Sequence, residues 1–364
     1  MNYTAVVIRY FGLFVALLAP AAAQRPPEEP QPPSYQVNPD CSVTFRLKVP
    51  KAAEVRVSGD FLKTPLPMVK DEQGLWTATA PPLAPAVYSY SFEIDGVVNI
   101  DPRNPYVKTG VRSTSSLFEV PAPQPRAYDM RNVPHGTVHM HWYQSKALGV
   151  PRSVWVYTPP GYDEGSAKYP ILYLLHGSGD TEGGWVTVGR ANLILDNLIA
   201  DGKARPMVVA MPFGHPQAAV GFGDPAMQSD RTLFAKDLLG DVLPLVEKAY
   251  RVDTRQESRA IAGLSMGGGQ ALSVGLNNLD LFGSIGAFSA AARDLTYDAA
   301  TVNRKLKLFW IACGVDDGLL ERSKQLDEAL CEKNVRHTFI ASEGAHAWRV
   351  WQRYLEQFTP LLFR

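Results

Sequence analysis

The stretch Arg259-Ala260-Ile261-Ala262-Gly263-Leu264-Ser265-Met266-Gly267-Gly268 decides how the rest of the chain is read. Arg259 to Ala262 has the character of a short strand, and a helix is predicted over Gly268 to Asn277. Between them stands a serine with a glycine two positions away on either side. A serine on a sharp strand-to-helix turn is held exposed, and flanking glycines let neighbouring backbone pass close to it. The free N–H groups of the following helix point to where negative charge would develop. The five-residue pattern alone is weak: a chain carrying 29 glycines meets it by chance in roughly one case in eight. The strand–turn–helix setting is what raises Ser265 above an idle serine in a glycine-rich turn.

Outward from Ser265 the chain alternates strands and helices. Strand-like runs are Ser153 to Tyr157, Ile171 to Leu175, Met207 to Met211, Arg259 to Ala262, Ser284 to Phe288, Leu308 to Ala312 and Thr338 to Ala341. Helical runs are Arg190 to Asp201, Lys236 to Ala249, Gly268 to Asn277, Leu319 to Lys333 and Trp348 to Leu362. The unbroken apolar run Ile171-Leu172-Tyr173-Leu174-Leu175 suits a strand covered on both faces, as in a parallel sheet. The expectation is an α/β domain over 135–364, with its chemistry in loops at the carboxyl ends of the strands; the order serine, aspartate, histidine of the candidates below is that of the α/β-hydrolase fold.

A serine hydroxyl attacks poorly until a base takes its proton. His346, in Glu343-Gly344-Ala345-His346-Ala347-Trp348, follows the last strand and precedes the last helix, where this architecture places its base. His337 starts a strand and reads as structural, as does His176 after a buried strand. His215 could line a pocket. His139 and His141 share a strand face, which suits a surface strand better than a metal pair. The orienting carboxylate belongs in Cys313-Gly314-Val315-Asp316-Asp317-Gly318, and the residues alone leave Asp316 and Asp317 open. Asp294, Asp298 and Glu343 are less well placed. Acyl transfer also needs donors for an oxyanion. These are expected from the N–H of Met266 and from His176-Gly177-Ser178-Gly179-Asp180, with Ser178 the choice and Gly179 next. Asp180, Trp185, His215, Phe222 and Trp348 are expected in loops bordering the site, as candidates for substrate contact along with Gly179.

The amino-terminal third has a different rhythm. Arg9 precedes an apolar run from Tyr10 to Ala19, and Pro20-Ala21-Ala22-Ala23 offers a small-residue cleavage site. Residues 1–23 thus read as a signal peptide too short to span a bilayer. Residues 24–39 hold six prolines and read as a linker. Alternating runs such as Val43 to Val49, with turns at Gly59-Asp60, Gly74 and Asp95-Gly96, predict a β-sandwich over 40–120, and 121–134 a second linker. Thirty-six basic residues balance thirty-six acidic ones, without the electrostatic footprint of a nucleic-acid binder. Cys41, Cys313 and Cys331 allow at most one bridge. Cys313–Cys331 is one option, and three buried free thiols the simpler one. No ligand spacing calls for a metal or organic cofactor.

With these residues placed, the chain from about Gly136 to Phe363 resembles carbohydrate esterase family 1, the feruloyl and acetyl-xylan esterases of the esterase D group. The likeness rests on Arg152 with Val156-Tyr157-Thr158-Pro159-Pro160-Gly161-Tyr162, on Leu174-Leu175-His176-Gly177, and on Gly263-Leu264-Ser265-Met266-Gly267-Gly268. Cys313-Gly314 and Gly344-Ala345-His346-Ala347-Trp348 complete it. The resemblance favours Asp317 over Asp316. The sandwich resembles early-set modules of carbohydrate-binding module family 48, through Gly74-Leu75-Trp76, Tyr88-Ser89-Tyr90-Ser91-Phe92, Asp95-Gly96 and Asp101-Pro102. There Trp76 could stack on a sugar or sit in the core. The resemblance implies a secreted Ser265–His346–Asp317 esterase that removes feruloyl or acetyl groups from xylan or its oligosaccharides. The alternatives are a siderophore trilactone esterase, a peptidase, or a glycan-binding protein with a relic hydrolase domain.

Overall fold

The computed structural model describes residues 32–111, 113–216, 232–292 and 295–364. The leader, Phe222 and Asp294 lie outside them. Residues 34–364 form one compact unit. Its first part is ten strands: β1 (Tyr35–Val37), β2 (Val43–Lys48), β3 (Val55–Gly59), β4 (Leu66–Pro67), β5 (Val69–Lys70), β6 (Leu75–Ala80), β7 (Ala86–Ile94), β8 (Val97–Asn99), β9 (Val107–Lys108) and β10 (Ser115–Val120). They build a sheet of order β1-β2-β6-β5 and another of order β4-β3-β7-β10-β9, with β8 beside β7. All the neighbouring pairs are antiparallel. Period-two alternation sends Val43, Phe45, Leu47, Val55, Val57, Tyr90, Phe92 and Phe118 into a common core. Trp76 belongs to it, and its indole N–H donates to the Val49 carbonyl; this settles that side chain as packing. The proline-rich stretch ends sooner than the composition suggested, because Tyr35–Val37 pairs with Val43–Phe45 as an edge strand.

The second part is an eight-stranded sheet. Its strands are β11 (Thr137–Gln144), β12 (Pro151–Thr158), β13 (Ile171–Leu175), β14 (Val208–Pro212), β15 (Arg259–Leu264), β16 (Ser284–Phe288), β17 (Leu308–Gly314) and β18 (Thr338–Ser342). The order is β11-β12-β14-β13-β15-β16-β17-β18. The first two pairings are antiparallel and the rest parallel. Both faces are covered, as the apolar runs require. Ile171, Tyr173 and Leu175 point into one core while Leu172 and Leu174 point into the other. Val87 and Leu117 of the sandwich join that second core, so the two parts share apolar packing. The helical run expected from Lys236 is interrupted: Thr232–Asp237 and Leu243–Ala249 flank a wider π turn at Leu238–Val242.

All three cysteines are free, and only Cys313 is buried. That removes the option of a bridge and also corrects the expectation of three buried thiols. Among the described residues no helix is long and apolar enough to cross a membrane.

Candidate active site

Ser265 stands between β15 and the helix Met266–Asn277 with φ 52° and ψ −114°, a left-handed φ that a side chain adopts only when its surroundings impose it. Three backbone hydrogen bonds do so: Ser265 N–H to the Phe288 carbonyl at 2.8 Å, and Ala291 and Gly269 N–H to the Ser265 carbonyl at 2.9 and 3.1 Å. Gly267 permits the turn, since a Cβ there would lie 2.5 Å from the His176 carbonyl oxygen and 2.6 Å from that of Leu175.

The imidazole of His346 arrives from the loop after β18. Its Nε2 is 3.0 Å from Ser265 Oγ and its Nδ1 is 2.8 Å from Asp317 Oδ2. With Nδ1–H donating to the carboxylate, the Nε2 lone pair accepts from the serine hydroxyl. The ring stands edge-on to Trp351, with centroids 4.8 Å apart. Asp317 has a wholly buried side chain, whereas Asp316, one residue earlier, faces solvent. Burial pushes the Asp317 carboxyl up, but hydrogen bonds from His346, the Leu319 N–H and Ser289 outweigh it and hold the group below the usual carboxylate range. It is therefore ionised and able to stabilise an imidazolium. His346 thus meets Asp317 and not Asp316.

Facing Ser265, the turn after β13 is fixed by His176. This ring is completely buried; its Nε2 accepts from the Gly214 N–H at 2.8 Å and its Nδ1–H donates to the Gly177 carbonyl at 2.9 Å. Desolvation depresses its pKa to about 4, so it is neutral, in one tautomer. Gly179 N–H donates to His215 Nε2 at 3.3 Å. Behind these, Arg152 pairs with buried Asp237 and donates to the carbonyls of Phe213 and His215. Met266 is the first residue of its helix, so its N–H has no intrahelical acceptor.

These groups open on a cleft of about 230 Å³ lined by Gly177, Ser178, Asp180, Ser265, His346 and Trp348 on the hydrolase side. Ser178 lines this cleft, and Trp348 forms part of its wall. Trp185 does not. It lies on a helical turn, Gly184–Thr187, fully buried, with its indole N–H donating to the Leu175 carbonyl. It packs edge-on beneath Trp348 at 5.2 Å. The sequence places this aromatic at the border of the site; its N–H finds a partner in the core instead, and it can only back the wall. Asp180 is also nearly buried, in an ion pair with Lys108. His139 and His141 are separately engaged, with Thr158 and Tyr250.

Sequence reasoning missed the far wall: Asp60, Ser89 and Lys108 come from the sandwich. No local pattern marks them, because only tertiary docking brings them there. It also missed Ser289, which accepts from the Trp351 indole N–H at 3.1 Å beside Asp317. Its positive φ of 47° has no signature in the sequence.

An α/β sheet carrying a serine, a buried carboxylate and an imidazole in that order along the chain, beside a glycine turn, defines an enzyme of the α/β-hydrolase fold. The chain belongs to the esterase family, whose family model matches residues 145–362. An endo-1,4-beta-xylanase/feruloyl esterase of Xylanibacter ruminicola is 32% identical over 93% of this chain and 47% of its own length. An endo-1,4-beta-xylanase Y of Acetivibrio thermocellus is 30% identical over 35% of this chain and 12% of its own. The chain thus spans less than half the length of the curated relatives it matches. Among solved structures, a CE1 ferulic acid esterase from Anaeromyces mucronatus in complex with ferulic acid superposes with a TM-score of 0.58, at 27% identity, over 66% of this chain and 96% of that one. The enterochelin esterase of Shigella flexneri gives 0.65 at 18% identity over 90% and 94%, a likeness of fold.

Proposed function

We propose that the protein is a serine carboxylic-ester hydrolase that releases feruloyl or acetyl groups from xylan or its oligosaccharides. The observation that carries this reading is the unbroken relay from Ser265 Oγ through His346 to Asp317, at 3.0 and 2.8 Å, opening on a cleft. Ser265 Oγ attacks the ester carbonyl as His346 Nε2 takes its proton, and a tetrahedral oxyanion forms. The N–H groups of Met266 and Ser178 receive that oxyanion. His346 then protonates the leaving alcohol, Asp317 holding its tautomer, and an acyl group remains on Ser265. Water, deprotonated by His346, hydrolyses it and regenerates the serine. None of these steps draws on a metal or organic cofactor.

The acyl group is suggested by relatives named as feruloyl and ferulic acid esterases. Export by a leader at residues 1–23 fits a polymeric substrate outside the cell. Gly179, Asp180 and Trp348 are proposed to border the bound substrate. Turnover of methyl ferulate, acetylated xylo-oligosaccharide, feruloylated arabinoxylan fragments and a cyclic catecholate trilactone tests the assignment, with Ser265→Ala as control. Ser265→Ala should lose about six orders of magnitude in kcat. Preference for the trilactone would replace the substrate class, and unchanged turnover in Ser265→Ala would remove the mechanism.

A further inference from the structure

The sandwich does more than sit beside the hydrolase sheet. The segment from Lys108 to Val111 lies directly on the turn that carries Ser178. Val111 N–H donates to the Gly179 carbonyl at 3.0 Å, and Thr181 Oγ1–H donates to the Thr109 carbonyl at 3.4 Å. The approach is close enough that a Cβ on Gly110 would stand 2.5 Å from the Gly179 carbonyl oxygen. Between these contacts Lys108 Nζ meets Asp180 Oδ1 at 2.8 Å, with side chains 26% and 6% exposed.

Asp180 is awkwardly placed for the chemistry. Its other carboxylate oxygen, Oδ2, is 3.4 Å from where a Gly177 Cβ would be, so a nearly dry negative charge adjoins the Gly177–Ser178 turn. Negative charge is also what develops there in the transition state. Like charges at short range in a poorly solvated site repel strongly. Unopposed, the Asp180 carboxylate would raise the barrier that the turn exists to lower. The ammonium that opposes it comes from the other part of the protein.

We propose that Lys108 of the β-sandwich is a positioning residue of the esterase site, neutralising Asp180 beside the Gly177–Ser178–Gly179 turn that receives the oxyanion. The inference rests on the esterase reading above and deepens it. The sandwich then supplies one wall of the catalytic cleft, and its docking contributes to kcat. Loss of a whole oxyanion donor costs about 10²- to 10³-fold in kcat. Loss of the opposing charge with the turn left in place should cost less, on the order of 10-fold.

The test is a double-mutant cycle on the full chain with a small neutral ester, para-nitrophenyl acetate, and active sites counted by a fluorophosphonate. Lys108→Met should lower kcat about 10-fold per active site with little change in KM. The double variant with Asp180→Asn should regain most of the loss, because the carboxylate beside the turn is gone while Asp60, on the far wall, is the same in both variants. Lys108→Arg should keep most of the activity. A mere packing role gives no such rescue, since the double variant would be as poor as Lys108→Met or poorer. Wild-type kcat in Lys108→Met, or no recovery in the double variant, overturns the proposal. If Lys108→Met does not fold, Lys108→Gln and its double with Asp180→Asn are read in the same way. Ser265→Ala, assayed alongside, separates the two claims. If it is inactive and Lys108→Met is not impaired, only the positioning role falls. If it keeps full turnover, the esterase reading falls and takes the positioning role with it.

Discussion

Acid should loosen the active-site turn through a group that performs no chemistry. His176 is completely buried, spends Nε2 on the Gly214 N–H and Nδ1–H on the Gly177 carbonyl, and has its pKa depressed by desolvation from 6.5 to about 4. In that interval the unfolded chain binds a proton that the folded protein refuses. The stability tied to a neutral His176 is therefore fully present above 6.5 and drains away as pH falls towards 4. A displacement of that size corresponds to roughly 3 kcal/mol. Replacing the ring by a side chain that can hydrogen-bond but cannot titrate, His176→Gln, should cost about 1–3 kcal/mol at neutral pH through imperfect satisfaction of Gly214 and Gly177. It should also flatten the decline. Urea unfolding followed by tryptophan fluorescence, at a series of pH values, gives both curves. Carboxylates elsewhere titrate alike in the two proteins and cancel in the difference. The curves should converge as pH approaches the depressed value. Curves that run parallel across the whole interval would refute this reasoning, since His176 would then be taking up its proton in the fold as readily as out of it.

Other outcomes follow from the same geometry. Asp317→Asn should lower kcat about 10⁴-fold by offering His346 the wrong partner for its tautomer, while Asp316→Asn, exposed and off the relay, should stay within about 2-fold of wild type; steady-state kinetics on one aryl ester compares them. Gly267→Ala puts a methyl 2.5 Å from the His176 carbonyl oxygen and should destabilise by about 1–3 kcal/mol, with kcat falling as the turn around Ser265 opens; thermal melts with kinetics on the same preparation check both.

Ser265 and His346 were legible because each sits in a local setting that its chemistry demands: a strand running into a helix for one, the last strand-to-helix loop for the other. Asp316 and Asp317 were not separable from the residues alone. What divides them is a turn, with the Asp317 N–H bonded to the Gly314 carbonyl and its carboxylate accepting from Leu319, which rotates one aspartate inward and leaves its neighbour in water. Trp185 misled because an indole serves a cleft wall or a core equally well, and the choice fell to a backbone acceptor on β13. The sheet was readable from apolar runs buried on both faces. The docking of β9 on the 177–181 turn was not, for it joins residues as far as 72 positions apart through backbone carbonyls that any side chain could accompany. Composition also placed the end of the proline-rich stretch too late, since edge pairing by Tyr35–Val37 depends on a partner strand and not on proline content.

The central claim is that the Ser265 hydroxyl becomes covalently acylated with His346 as its base. Rapid mixing of the full chain with para-nitrophenyl acetate, quenched in acid and followed by peptide mass spectrometry, tests it most directly. One acetyl group should be found on the Ser265 peptide of the wild type, and none on that peptide in His346→Ala. Turnover without any acetylated Ser265, or acetylation that persists at the wild-type rate in His346→Ala, would contradict the account.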